Sequence, residues 1–180
     1  MKENIKLLIW QGVASLGLLL SLIFVFASPA FFLQGGERVI TTMEMITNAH
    51  GDNVMSLGMM IGLILLFIAL IASIANTVFF ALNNYKPVIT MILGIVSGLC
   101  ALASSLLLGL GYFVSGLSES NPIIGLNQGE IGFMTGTFLV LGFGLVGFVA
   151  SYPSALIVLH HKDLADKNVS PQESQIINNW

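Results

Sequence analysis

Charge is what this chain has least of. Only 8% of its 180 residues are Asp, Glu, Lys or Arg, whereas soluble domains carry roughly a quarter. A water-facing fold so poor in charge would expose large apolar patches, which argues against a soluble globular domain. The six basic residues form no run and the net charge is −3, so nucleic acid is not an expected partner, since binding it rests on neutralising phosphates. Cysteine is nearly absent. Cys100 stands alone in an apolar stretch, which excludes an intrachain disulfide and a Cys-based metal site, leaves the redox compartment open, and reads as a small buried hydrophobe.

The signatures of catalysis are missing too. The chain has no P-loop, no HExxH, no GxSxG and no zinc-type His/Cys spacing. The carboxylates Glu37, Glu44, Asp52, Glu119 and Glu130 have only His50 as a potential acid-base partner, and the adjacent His160 and His161 lack further ligands for a metal. The expectation is a protein that is not an enzyme and carries no cofactor or metal.

What is present is apolar. Hydrophobic residues make up 56% of the chain and the mean hydropathy is +0.92, which makes lipid the expected solvent. A bilayer core of about 30 Å is crossed by roughly 20 apolar residues in a helix. Four runs meet that test: 7–33, 54–82, 87–117 and 131–159, none containing Asp, Glu, Lys, Arg or His. Ion-coupled transporters normally carry ionisable residues inside their spans; these runs carry none. Several exceed the needed length, which predicts tilt or projecting ends. Only Asn83, Asn84, Tyr85 and Lys86 separate the second and third runs, so those two form an antiparallel hairpin.

Cation placement sets the expected orientation, because short loops rich in Lys and Arg stay in the cytoplasm. Lys2, Lys6, Lys86, Lys162 and Lys167 fall on one side and Arg38 alone on the other. The expectation is a multi-pass protein of the cell membrane with both termini cytoplasmic. Outer loops would cover 34–53 and 118–130, the four-span domain 1–162, and a cytoplasmic tail 163–180. Lys2 and Lys6 before an apolar run also resemble a secretory signal, but about 20 apolar residues precede Val25-Phe26-Ala27, longer than the usual core of about 7 to 15. The segment reads as a retained first span.

The predicted fold class is all-α: an antiparallel four-helix transmembrane bundle with a short extracytoplasmic β-hairpin and helix between spans one and two. Membrane helices associate where small residues allow close backbone approach. The spans offer Ala14, Gly17, Ser21 and Ser28; Gly58, Gly62, Ala69, Ala72 and Asn76; Gly94, Gly98, Ala101 and Ser105; and Gly132, Gly136, Gly144, Gly147 and Ser151. Spacings of three, four and seven put each set on one face. Gly58/Gly62, Gly94/Gly98 and Gly132/Gly136 are also GxxxG pairs, which serve packing within one chain or a homo-oligomer interface. Asn76 reads as the one strongly polar side chain deep in a span; it needs a partner, either a neighbouring helix or a ligand. Tyr152-Pro153 predicts a kink.

In the first outer loop, Phe31, Phe32, Leu33 and Gln34 and then Glu37, Arg38, Val39 and Ile40 flank Gly35-Gly36, a hairpin pattern. Thr41-Thr42-Met43-Glu44 matches a capping box, and His50-Gly51 a helix end. Asn121-Pro122 reads as a turn and Asn127-Gln128-Gly129-Glu130 as a cap for span four. In the tail, Ser170-Pro171-Gln172-Glu173 is a helix start, after which Ile176, Ile177 and Trp180 dock on a partner or headgroups or else fray.

In span number, orientation and structured first loop, the chain is similar to claudin-type and other tetraspan groups. The claudin first-loop Trp, Gly-Leu-Trp and Cys pair are missing, since 34–53 contains neither Trp nor Cys. No family is assigned on this likeness, and no cell-junction role is carried over. The functional expectation is a binding or accessory subunit that engages membrane lipid, another membrane protein or a second copy of itself. A small channel or transporter of uncharged solutes is the alternative. The candidate interaction and packing residues are Asn76, Gly58, Gly62, Gly94, Gly98, Gly132, Gly136, Phe31, Phe32, Arg38, Glu44 and Trp180.

Overall fold

The structure is a computed structural model that describes residues 2–33, 38–48, 54–82, 86–109, 131–133 and 135–156. The first apolar run is helical as α1, Lys2–Ala27. It stops six residues short of the sequence-based end at 33. Ser28 precedes Pro29, and a residue before proline is pushed out of the helical region; the last helical bond runs from Ser28 N to Phe24 O at 3.2 Å. The apolar residues that follow form a strand instead, β1, Pro29–Leu33. Run length alone cannot register that change, because β1 is as hydrophobic as the helix before it.

Next come β2, Arg38–Thr41, and the short helix α2, Thr42–Asn48. Here the capping box is formed reciprocally. Thr41 N donates to Glu44 Oε2 at 2.7 Å, and Glu44 N donates to Thr41 Oγ1 at 3.1 Å, which satisfies two helix-start donors at once. Helix α3, Val54–Ala81, matches the second apolar run to within a residue. Helix α4, Pro87–Gly109, opens on proline, whose missing N–H costs nothing in a first turn. Residues 110–130 lie outside the described part, as do the turn at 34–37, His50-Gly51 and the tail from 157 to Trp180.

The fourth run is divided. Ile131–Phe133 form β3, and only from Thr135 does the chain become helical, as α5, Thr135–Ala155. Strand β3 pairs antiparallel with β1 on the edge opposite β2, giving the order β2-β1-β3. Phe31 stands opposite Ile40 on one side and Phe133 on the other; Phe32 stands opposite Val39 and Gly132; Leu33 stands opposite Arg38 and Ile131. The segment that follows α1 is thus stitched to the entry of α5, an addition the sequence did not announce. Gly132 is corrected accordingly. It sits in a strand, so Gly132 and Gly136 do not share a helix face and are not a helical GxxxG pair.

The four long helices neighbour one another in the cyclic order α1, α3, α4, α5. Contact positions run in opposite directions in each of three pairs. Along α1 and α5, Gln11 meets Ser154, Gly17 meets Phe143 and Gly147, and Ser21 meets Val140. Along α3 and α4, Asn76 meets Thr90, Ala69 meets Ser97 and Gly62 meets Leu108. Along α4 and α5, Gly94 meets Ser154 and Ala155, and Gly109 meets Leu141. One end of this assembly carries the sheet; the other carries Lys6 and Lys86, both exposed. They are called the sheet end and the lysine end below.

The outer surface of the assembly is apolar, unlike that of a water-soluble protein, and many of its polar side chains turn inward. Facing outward are Ile9, Leu16, Ile71, Leu99 and Phe138, with Ile71 at 66% and Phe138 at 64% exposure. Facing inward and fully buried are Gln11, Ser73, Asn76, Thr90, Ser97, Ser151 and Ser154. Where the surroundings are hydrocarbon, this is the stable arrangement, because polar groups find partners only inside. All four helices are long and apolar enough to cross a membrane: Ile5–Ala27, Gly58–Ala81, Pro87–Gly109 and Thr135–Ala155.

Candidate functional site

The buried apolar cluster occupies the sheet half. Leu18 and Val25 of α1, Met59 and Leu66 of α3, Leu108 of α4 and Val140 of α5 are its largest fully buried members, and Ile46 and Leu70 are nearly so. Beside it, hydroxyls reach backbone carbonyls of other elements: Ser21 Oγ of α1 donates to Val140 O of α5 at 2.9 Å, and Thr137 Oγ1 of α5 to Ala30 O of β1 at 2.7 Å. Phe24 and Phe143 stack at 5.5 Å between ring centroids.

The lysine half is built from other material. Gln11 Nε2 donates to Ser154 Oγ. One turn along α1, Ser15 Oγ meets Ser73 Oγ at 2.9 Å and Thr77 Oγ1 at 3.0 Å. Asn76, on the same face of α3, donates from Nδ2 to Thr90 O at 3.2 Å. Thr90 lies one turn from Gly94, and Gly94 abuts Ser154, which closes the ring through all four helices. Toward the middle, Ser97 Oγ donates to Ala69 O at 3.2 Å and lies 3.1 Å from Ser151 Oγ.

This ring is not fully matched. Gln11 Oε1, Asn76 Oδ1 and Thr90 Oγ1 are buried and have no hydrogen-bond partner among the described residues; Ser104 Oγ and Thr42 Oγ1, nearer the sheet end, share that condition. A hydroxyl on a helix can turn to its own i−4 carbonyl, as Ser105 does to Ala101 O at 2.7 Å, so an unmatched Ser or Thr is easily satisfied. An amide oxygen has no such recourse, because it only accepts.

Gln11 is the residue that sequence reasoning passed over. Its signal was there: Gln11, Ala14, Leu18, Ser21 and Val25 recur at three and four residues and all are buried, so Gln11 continues the small-residue face of span one. Asn76 therefore does not stand alone as a deep polar side chain.

The glycines divide into close and open positions. A Cβ added at Gly94 would lie 2.7 Å from Ala155 N, at Gly136 2.5 Å from Pro29 O, and at Gly62 2.9 Å from Leu107 Cβ. These are backbone or stem atoms that cannot swing away. Gly98 differs, with nothing nearer than Phe148 Cδ2 and Ser151 Cβ at 3.7 Å, and Gly58 meets only Leu107 Cδ2 at 4.0 Å. Phe31, Phe32 and Arg38 are held by strand pairing, Glu44 by its cap, and Trp180 lies outside the described residues. The structure brings Asn76 close to the Gly94 crossing and leaves the sheet residues at the other end.

Outside the ring, α1 and α5 frame a shallow apolar groove of about 310 Å³ lined by Trp10, Val13, Gly142, Leu145, Val146 and Val149. Its wall is low at Gly142, where an added Cβ would meet nothing within 4 Å. No group of three or more metal-ligating side chains occurs among the described residues.

Four apolar helices with an apolar outer surface and polar inner faces have the make-up of a multi-pass membrane protein. No protein-family model, no curated protein and no solved structure matches the chain.

Proposed function

We propose that this chain is a non-enzymatic binding or accessory subunit of the cell membrane. It forms an antiparallel four-helix bundle with both termini in the cytoplasm, and engages another membrane protein or lipid through its outward surfaces. The observation that carries this reading is the filled sheet half: Leu18, Val25, Met59, Leu66, Leu108 and Val140 pack together where a conduit would need a polar lumen. The close crossings at Gly62, Gly94 and Gly136 support it, since they suit a rigid scaffold more than an opening one. The α1–α5 groove, wholly aliphatic and aromatic in its lining, has the chemistry of an acyl-chain seat.

A small conduit for uncharged solutes is the second reading, and the polar ring around Gln11 and Asn76 favours it. Reconstitution separates the two. Purified protein in lipid vesicles is expected to leave glycerol and urea permeability at the level of empty vesicles, and its mass in native lipid discs is expected to include a stoichiometric partner. Solute flux that rises with protein content, together with a closed homo-oligomer, would replace the accessory reading with the conduit. Orientation has its own test. A cysteine placed at Asn48 is expected to react with an impermeant thiol reagent on intact cells and one at Asn84 is not; reaction at Asn84 would reverse the topology.

A further inference from the structure

We infer that the lysine half of the helix assembly holds internal water, bound between the side-chain amides of Gln11 and Asn76. The inference stands apart from the accessory role, because a scaffold and a conduit can each contain such a site. Both side chains are fully buried. Each spends its amide nitrogen on a neighbouring helix, Gln11 on Ser154 Oγ and Asn76 on Thr90 O, and each is left with an amide oxygen that nothing described satisfies. Turning the Gln11 amide over would exchange the unmatched acceptor for an unmatched donor, and turning Asn76 over would set Oδ1 against Thr90 O, acceptor against acceptor, so neither flip removes the deficit.

The two amides belong to one neighbourhood. Ser15, a turn from Gln11, touches Ser73 and Thr77, which flank Asn76 on α3. Ser154, the partner of Gln11, abuts Gly94, a turn from the Thr90 that partners Asn76. The ring thus returns on itself with two carbonyl-type oxygens and the Thr90 hydroxyl unmatched.

The ligand that fits must give two hydrogen bonds and accept one. Water does this with its two protons on Gln11 Oε1 and Asn76 Oδ1 and its oxygen facing the Thr90 hydroxyl. Three bonds is the usual number for a buried water among otherwise unsatisfied groups. A metal cation is a poorer match. No carboxylate occurs in 5–27, 54–81, 87–109 or 135–155, so a bare charge would be buried without a counter-charge.

Water-edited solid-state NMR of the whole protein in lipid vesicles tests the site, with ordinary water as the probe. The side-chain amide protons of Gln11 and Asn76 are expected to receive magnetisation from water at mixing times too short to reach the methyls of the lipid-facing Ile74 and Ile95. Amides as dark as those methyls would overturn the inference. Asn76→Leu is expected to weaken transfer to the Gln11 amide by about twofold or more, because the water loses one of about three bonds. Gln11→Leu is expected to do the same at Asn76, so one folded variant suffices. Undiminished transfer in a folded variant would show that the two amides do not share a water, and would overturn the site as described.

Discussion

The two halves of this molecule cohere by different means. In the sheet half, helices meet through Leu18, Leu66, Leu108 and Val140, and the sheet β2-β1-β3 ties the end of α1 to the start of α5. In the lysine half, α1, α3, α4 and α5 meet through Gln11, Ser15, Ser73, Asn76, Thr90, Ser97, Ser151 and Ser154. The buried apolar cluster reaches toward the lysine end no further than Leu18 in α1, Leu70 in α3, Ala101 in α4 and Val140 in α5, with Cys100 and Phe148 packed against it, while Phe80 is the large buried hydrophobe nearest the lysine end. The difference teaches how apolar helices cohere in an apolar solvent. Leaving lipid for another helix gains an aliphatic side chain only packing, and a hydrogen bond between helices contributes a modest amount besides. The sheet half relies on close-fitting aliphatic volume, and the lysine half on a polar ring, several of whose groups are unmatched, together with the close crossing at Gly94. Mutations should distinguish them by size of effect.

The largest effect is expected at the crossing of α4 and α5. Gly94→Leu drives a side chain against Ala155 N and Ser154, and should lower unfolding free energy in detergent by about 3 kcal/mol, the upper part of the usual overpacking range. A variant as stable as the parent in thermal unfolding would mean that the lysine half is held by its polar groups without close contact. In the sheet half, Leu66→Ala should cost about 2 kcal/mol. In lipid the transfer part of the usual penalty is largely absent and the cavity part remains. A loss below that of Asn76→Ala would reverse the assignment of packing to one half and polar matching to the other.

Asn76→Ala removes the bond to Thr90 O, and should cost about 0.6 to 2 kcal/mol in the same measurement. Within that range, the smaller values are expected, because the change also removes an amide oxygen that has no partner in the described protein. A loss above about 4 kcal/mol would instead mark Asn76 as the keystone of a cooperative network. The smallest effect is reserved for Gly98→Ala. Its new methyl would sit 3.7 Å from Phe148 and Ser151, ordinary contact, while helix propensity improves by up to about 1 kcal/mol. Thermal stability should hold or rise slightly. A clear loss would show that α4 and α5 lie closer at Gly98 than at van der Waals distance.

The Gly94 and Gly98 pair also shows what pattern reading can and cannot resolve. Both lie on one face four residues apart, and both are buried, as the spacing implies. Yet one is a backbone crossing and the other has room for a methyl, a distinction made by how near α5 passes and not by anything in α4. The same holds at the sheet end. Ile131-Gly-Phe133 and Pro29–Leu33 are apolar enough to extend their spans, and became strands because each found the other's backbone.

Apolar run length, absence of charge and the small-residue periodicity are local properties, so the sequence by itself determined the four long helices, their inward faces and the cap formed by Thr41 and Glu44. Each follows from groups within a few residues of one another, or from the cost of leaving backbone donors unpaired in hydrocarbon. The tertiary structure alone decided which glycines are crossings, that β3 joins β1, and that Gln11 of α1 shares a ring with Asn76 of α3. Those outcomes depend on residues tens of positions apart being brought together. A helix face records that a polar side chain must turn inward, but not which side chain it will meet there.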